Sequence, residues 1–302
     1  MNLPTIVGVT STELTQKETA LFTKHAPVGF ILFKRNCDTP DQVKKLIKTL
    51  HQIAGEDCPI LIDQEGGRIS RLKKPNFSEF PAPSTFKTPE EAYDNAVEMA
   101  KQLKNLGITI NCTPLADLVF QSTHHVIGDR SFGNDPQYIG KMAAAVIKGH
   151  FDSGITPVLK HLPGHGRAIV DSHEELPIVS ESTSTLINTD FKAFQETLSH
   201  LSHVQQQKLW GMTAHVVYDQ IDNKNCATQS LDIIHHIIRK HIGFSGTLIS
   251  DCITMKALSG NTVEKAQKCL KAGCDIVLHC SGNFEELSSL LTAHAIYIAQ
   301  TT

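Results

Sequence analysis

The chain has 302 residues, 40% hydrophobic and 20% charged, with a formal charge of -3 at pH 7. That apolar content excludes global disorder, and so slight a negative balance offers no electrostatic case for nucleic acid or an anionic membrane surface. No apolar run reaches the roughly 20 residues a membrane helix needs, and Met1-Asn2-Leu3-Pro4-Thr5-Ile6-Val7 lacks the basic start and long apolar stretch of an export signal.

Taken in order, short β-rich runs alternate with longer helical patterns. Strands are predicted at 5–9, 28–33, 60–62, 108–111, 156–159, 209–213, 247–250 and 275–278. Between them helix starts are legible. Asp38-Thr39-Pro40 and Asp135-Pro136 announce two, and Thr88-Pro89-Glu90-Glu91 supplies a cap, a proline at the first helical position and a capping-box glutamate. Gly55, Gly107, Gly154, Gly243 and Gly273 fall where helices should stop. Eight such units with no Pro- or Ser-rich linker predict an α/β fold, one (β/α)8 TIM barrel filling residues 1–302 as a single catalytic domain. An open doubly wound sheet is the structural alternative.

Eight cysteines are scattered without Cys-x-x-Cys spacing, several beside apolar runs. In a chain of this length they read as buried thiols of a reducing compartment, so a cytoplasmic protein is expected.

Loops from helix to strand look short, whereas three from strand to helix are long, at 63–87, 112–134 and 160–189. Barrel active sites are built on strand-to-helix loops at the C-terminal ends of the strands. Asp63, Asn111, Lys160, His161 and Asp251 all fall at that end, which is therefore the expected active face. Each alone is commonly a solvated loop residue or a helix cap; Ser250-Asp251 before an apolar run suits a cap as well as it suits catalysis.

Four stretches carry a family resemblance. Ile62-Asp63-Gln64-Glu65-Gly66-Gly67-Arg68 with Arg71, Val126-Ile127-Gly128-Asp129-Arg130-Ser131-Phe132-Gly133, Lys160-His161-Leu162-Pro163-Gly164-His165-Gly166 with Asp171-Ser172-His173, and Leu248-Ile249-Ser250-Asp251 resemble, in family order, the motifs of glycoside hydrolase family 3. The third resembles that family's single-domain bacterial β-N-acetylglucosaminidases (β-hexosaminidases) of peptidoglycan recycling. The resemblance implies Asp251 as nucleophile of a retaining reaction and the Asp171–His173 pair as the acid/base. It implies Asp63, Arg71, Arg130, Lys160 and His161 as substrate ligands; Glu65 and Arg68 fit either that role or a structural ion pair beneath the loop, and His165 reads as structural. An adjacent carboxylate orients an imidazole and favours its protonated form, and Gly164 and Gly166 would let the loop move.

His161, His165, Asp171 and His173 also form a metal-ligand-rich stretch. Pro163 and Gly164 interrupt the helix that would put two histidines on one zinc, so no metal and no cofactor is expected. The expected partner is a small sugar, a muropeptide carrying N-acetylglucosamine, with neither nucleic acid nor membrane. Two other functions fit the same residues. A glycoside phosphorylase would replace water by phosphate at the same site, and a non-catalytic sugar-binding barrel would use the ligands alone. Cys252 stands where related enzymes often have a small or acidic residue, and Leu162 where an aromatic is frequent.

Overall fold

The computed structural model describes residues 3–121, 123–172 and 174–301. Its first half runs β1 Leu3–Gly8, α1 Gln16–Lys24, β2 Pro27–Leu32, α2 Pro40–Ala54, β3 Ile60–Ile62, α3 Pro89–Leu106, β4 Ile110–Asn111, α4 Pro136–Asp152 and β5 Thr156–Leu162. The second half adds β6 Ile178–Val179, α5 Thr183–Asn188, α6 Asp190–Ser199, α7 His203–Lys208, β7 Trp210–Thr213, β8 Val217–Tyr218 and the π-helical segment Ile233–His241. It ends with β9 Thr247–Cys252, α8 Thr262–Ala272, β10 Ile276–His279 and α9 Phe284–Thr301.

Strands β1, β2, β3, β4, β5, β7, β9 and β10 pair in parallel and close on themselves. The fold is the expected (β/α)8 barrel and not an open sheet. Each barrel strand sends one residue inward: Ile6, Ile31, Leu61, Ile110, Val158, Met212, Ile249 and Leu278 form a single buried cluster. Alternate residues point the other way, so Val7, Phe30, Leu32, Ile60 and Ile62 pack against the helices. Burial on both faces explains why these strands read as continuous apolar runs and not as alternating ones. Ile31 is 1% exposed, so Ile31→Val should cost about 0.5–1.5 kcal/mol, read as a shift in the urea midpoint at unchanged m-value.

Helix starts follow the chemistry of their caps. Thr39 accepts from the Gln42 amide and Asp135 from the Gln137 amide, each before a proline at the first turn. Thr88 caps α3 through Glu91 N, but the Glu91 carboxylate accepts from Lys87 N at 2.7 Å, one residue before the position a capping box requires. Gly107 and Gly273 end α3 and α8 in the left-handed conformation, φ 90° and 111°, which glycine adopts without strain. His235 and His236 are exposed, as their pattern suggests, though the helix they sit on winds with π geometry.

The three long strand-to-helix loops gather at one end of the barrel. The third is shorter than expected, because β5 extends to Leu162 and α5 begins at Thr183. It also contains β6, which pairs in parallel with β8. Its base is tied down: Arg167 pairs with Asp190 at 2.7 Å and Glu181 at 3.1 Å, and the Tyr218 hydroxyl donates to Gly164 O. Gly166 is not the hinge its sequence suggests. A Cβ there would lie 2.0 Å from Leu118 O, so the position needs glycine for close backbone approach.

Candidate active site

Asp63 follows β3, Lys160 and His161 lie near the end of β5, and Asp251 is the penultimate residue of β9. Their side chains open onto one cavity of about 440 Å³ at the C-terminal face, together with Arg71, Arg130 and Asp171. That volume is in the range of small-ligand sites. The cavity thus brings together every side chain implied as catalytic or substrate-binding except His173, which lies outside the described residues.

Its wall is a chain of buried charges. The Lys160 ammonium lies 3.1 Å from Asp63 Oδ1 and 2.7 Å from Glu65 Oε1. Arg130 grips Glu65 with Nε and Nη2, both at 2.8 Å, and donates from Nη1 to Val126 O. Arg71 Nη2 lies 3.0 Å from Asp63 Oδ2, and its guanidinium stacks 5.3 Å from the Phe33 ring centroid. A buried ion pair holds best when its other donors and acceptors are also satisfied; the fork and the ammonium do this for Glu65, whereas the buried Nε of Arg71 has no hydrogen-bond partner among the described residues.

The same contacts set the protonation states. Burial pushes the Glu65 carboxyl up, but Arg130 and Lys160 outweigh it and hold it down at about 2. Asp63 is likewise pushed up by burial and pulled well below the usual carboxylate range by Lys160 and Arg71. Burial disfavours charge on Lys160, yet Glu65 and Asp63 hold its pKa above the ordinary value. Both carboxylates and the ammonium are therefore charged at neutral pH. The folded pKa of Glu65 lies below its ordinary 4.5. Its contribution is thus complete above pH 4.5 and is lost as pH falls toward about 2. Acid denaturation should show this loss, and Glu65→Gln should flatten the stability–pH curve in that window.

Behind His161 stands a residue the motifs did not flag. Asp117, fully buried, accepts from His161 Nδ1 at 2.7 Å and from the backbone amides of His161 and His165. A carboxylate on Nδ1 fixes the imidazole tautomer and leaves Nε2 as the remaining polar atom of the ring. Asp117 interrupts the apolar run Pro114-Leu115-Ala116-Asp117-Leu118, and a buried acid rarely goes unpartnered. That signal was available in the sequence. Gln64 was missed too. Its side-chain oxygen accepts from the amides of Arg71 and Leu72, at 2.9 and 3.1 Å, so it sets where Arg71 stands.

Other expectations shift. Asn111 does not line the cavity. Its amide clamps the Gln64 backbone at 3.0 and 2.8 Å and meets His150 Nε2 at 3.0 Å, which steadies the turn carrying Asp63. Arg68 pairs with Asp129 at 2.7 Å and donates to the His125, Val126 and Ile127 carbonyls. It joins two active-face loops as an ion-pair partner. Asp251 is not a helix cap, since β9 continues to Cys252 and α8 starts at Thr262 under Asn261. The Cys252 amide donates to Asp251 Oδ1 at 2.6 Å and so holds the carboxylate at the strand end.

The 163–177 loop reaches back over this floor. Asp171 and Ser172 line the cavity, and the Ser172 hydroxyl lies 3.0 Å from His165 Nε2. Burial, then the nearby His161, lowers the His165 pKa to about 4, so its imidazole is neutral at pH 7. On the outer side, Lys256 in the loop after β9 meets Glu174 at 2.5 Å. Both are exposed, and such a pair contributes little by itself.

Comparison with known proteins places this geometry. The glycosyl hydrolase family 3 N-terminal domain matches residues 5–300. A β-hexosaminidase of Haemophilus influenzae is 33% identical over 286 residues, covering 91% of this chain and 79% of the relative. Among solved structures, a family 3 β-N-acetylglucosaminidase from Paenibacillus sp. str. FPU-7 superposes with a TM-score of 0.89 at 30% identity. The match covers 99% of this chain and 57% of that longer one. NagZ from Neisseria gonorrhoeae, in complex with N-trifluoroacetyl-D-glucosamine, superposes at 0.85 with 31% identity, covering 97% of this chain and 85% of NagZ. The barrel, the order of its motifs and these matches agree: the chain belongs to glycosyl hydrolase family 3.

Proposed function

We propose that this chain is a retaining exo-β-N-acetylglucosaminidase that acts as one catalytic barrel without metal or cofactor. One observation carries the reading: Asp251 from β9 and Asp171 from the 163–177 loop open onto the same cavity as the Asp63–Lys160–Glu65 charge cluster. A retaining glycosidase needs a nucleophilic carboxylate and a proton donor on either side of the scissile bond. Asp251 attacks the anomeric carbon and forms a glycosyl ester. The Asp171–His173 pair protonates the departing oxygen and then deprotonates the incoming water. Asp63 accepts from ring hydroxyls, while Arg71, Lys160 and His161 donate to hydroxyl or acetamido oxygens, with Arg130 bracing Glu65 at their edge.

The names of the H. influenzae and Paenibacillus relatives and the N-acylated glucosamine bound by NagZ support the acetamido sugar. The resemblance of residues 160–173 to enzymes of peptidoglycan recycling supports muropeptides as the natural substrates and the cytoplasm as their place. The test compares nitrophenol release from aryl β-N-acetylglucosaminide and aryl β-glucoside, with chelator, and with and without phosphate. Acetamido-selective, chelator-resistant hydrolysis is expected. Sugar 1-phosphate in the phosphate arm would replace this reading by a phosphorylase, and binding without turnover would replace it by a sugar-binding barrel.

A further inference from the structure

Beside the candidate nucleophile lie two sulfurs that the hydrolytic reading does not use. Cys252 ends β9 and Cys280 follows β10, the strand paired with it, and both line the cavity. The Cys280 backbone amide donates to Cys252 Sγ at 3.2 Å, and the Thr254 hydroxyl lies 3.0 Å from the same sulfur. With the N–Cα bond fixed, Cys280 Cα is then within about 4.7 Å of Cys252 Sγ, a reach that suits a cross-link. The Arg35 guanidinium interacts electrostatically with both thiols.

Among the eight thiols the ionisation pattern singles out this pair. Burial pushes up Cys37, Cys58, Cys112, Cys226, Cys269 and Cys274. Burial acts on Cys252 too, but the hydrogen bonds from Cys280 and Thr254 outweigh it and lower its pKa. Cys280 is raised by burial and by its bond to Cys252. Cys252, lowered and lining the cavity, suits an attacking thiol, and Cys280 beside it a resolving one.

We infer that Cys252 and Cys280 form an oxidisable dithiol in the cavity wall, a modification site that takes hydrogen peroxide and closes to a disulfide that disables the site. Cys252 thiolate attacks a peroxide oxygen; an S–O bond forms, the O–O bond breaks, and the departing hydroxide takes a proton to leave as water. The Cys280 sulfur then attacks the Cys252 sulfenic acid, and an S–S bond forms as the S–O bond breaks. The leaving hydroxide carries off the Cys280 proton as a second water. Two thiols are oxidised by two electrons and one peroxide is reduced to two waters. Closure draws Cys252 Sγ away from Thr254 and turns the residue whose amide holds Asp251. A misplacement of about 1 Å is enough to cost orders of magnitude in rate.

The loss of activity rests on the proposed hydrolase; the cross-link does not. The experiment therefore reads both, treating the full chain with hydrogen peroxide and following peptide mass maps alongside aryl N-acetylglucosaminide hydrolysis. Expected are a Cys252–Cys280 linked peptide and at least about a ten-fold fall in activity, both reversed by dithiothreitol, which does not reduce methionine sulfoxide. In Cys280→Ser the Cys252 sulfenic acid should persist and be captured by dimedone; in Cys252→Ser neither product should form. The inference is overturned if wild-type protein keeps both thiols under peroxide that oxidises its methionines. It is equally overturned if the linked protein retains full activity, or if dithiothreitol-reversible inactivation survives in Cys252→Ser. The wild-type map needs no variant to fold, and an inactive reduced protein would sink the hydrolase reading while leaving the map to decide the cross-link.

Discussion

Asp251→Ala should lower kcat on aryl β-N-acetylglucosaminide by at least about 10³-fold, roughly 4 kcal/mol of barrier, while N-acetylglucosamine still binds. The carboxylate is the group proposed to form the glycosyl ester, whereas the charges proposed to hold the sugar sit on β3, β5 and their loops. Removing it leaves the Asp63–Lys160–Glu65–Arg130 chain complete. Folding should also survive, because Asp251 is not a helix cap. A second readout separates loss of a nucleophile from general damage. Azide can occupy the vacated space, so it should partly restore turnover of an activated aryl glycoside and yield the glycosyl azide of inverted configuration. Undiminished turnover, or a loss azide cannot rescue in a variant that no longer binds sugar, would remove Asp251 from the nucleophile's role.

How far the residues announce this site differs from one part to the next. Strand-forming runs and capped helix starts were legible because burial and caps act locally, and all eight barrel strands appear within a few residues of their expected places. The small β6–β8 sheet was not legible. Each of its strands is two residues long, and it exists only because a loop after β5 meets one after β7. The motifs delivered the residues that line the cavity but not those that hold them. Asp117 acts through a side chain 44 positions away, on His161, and Gln64 acts through backbone amides; neither contact leaves a period or a spacing in the chain. Glu65 shows the limit from the other side. Its sequence leaves it between sugar ligand and ion-pair partner, and only the fold reveals that it serves Arg130 and Lys160 at once and thereby ties the loop after β4 to the end of β5.

His173→Ala should divide substrates by their leaving groups. A nitrophenolate departs with little help, so kcat/KM for its glycoside should fall by less than about ten-fold, while an alkyl or sugar leaving group should lose about 10²–10⁴-fold, the range a general acid contributes. His173 lies outside the described residues, and its role is proposed from the motif it belongs to and from the residues on either side of it. Asp171 and Ser172 line the cavity, Ser172 meets neutral His165, and Glu174 meets Lys256 beyond the nucleophile strand. Gly166, at the base of the loop, is packed against Leu118. A merely structural histidine would, on removal, loosen the loop for every substrate alike. Equal losses on good and poor leaving groups would therefore deny His173 the proton, and a split confined to poor ones would assign it.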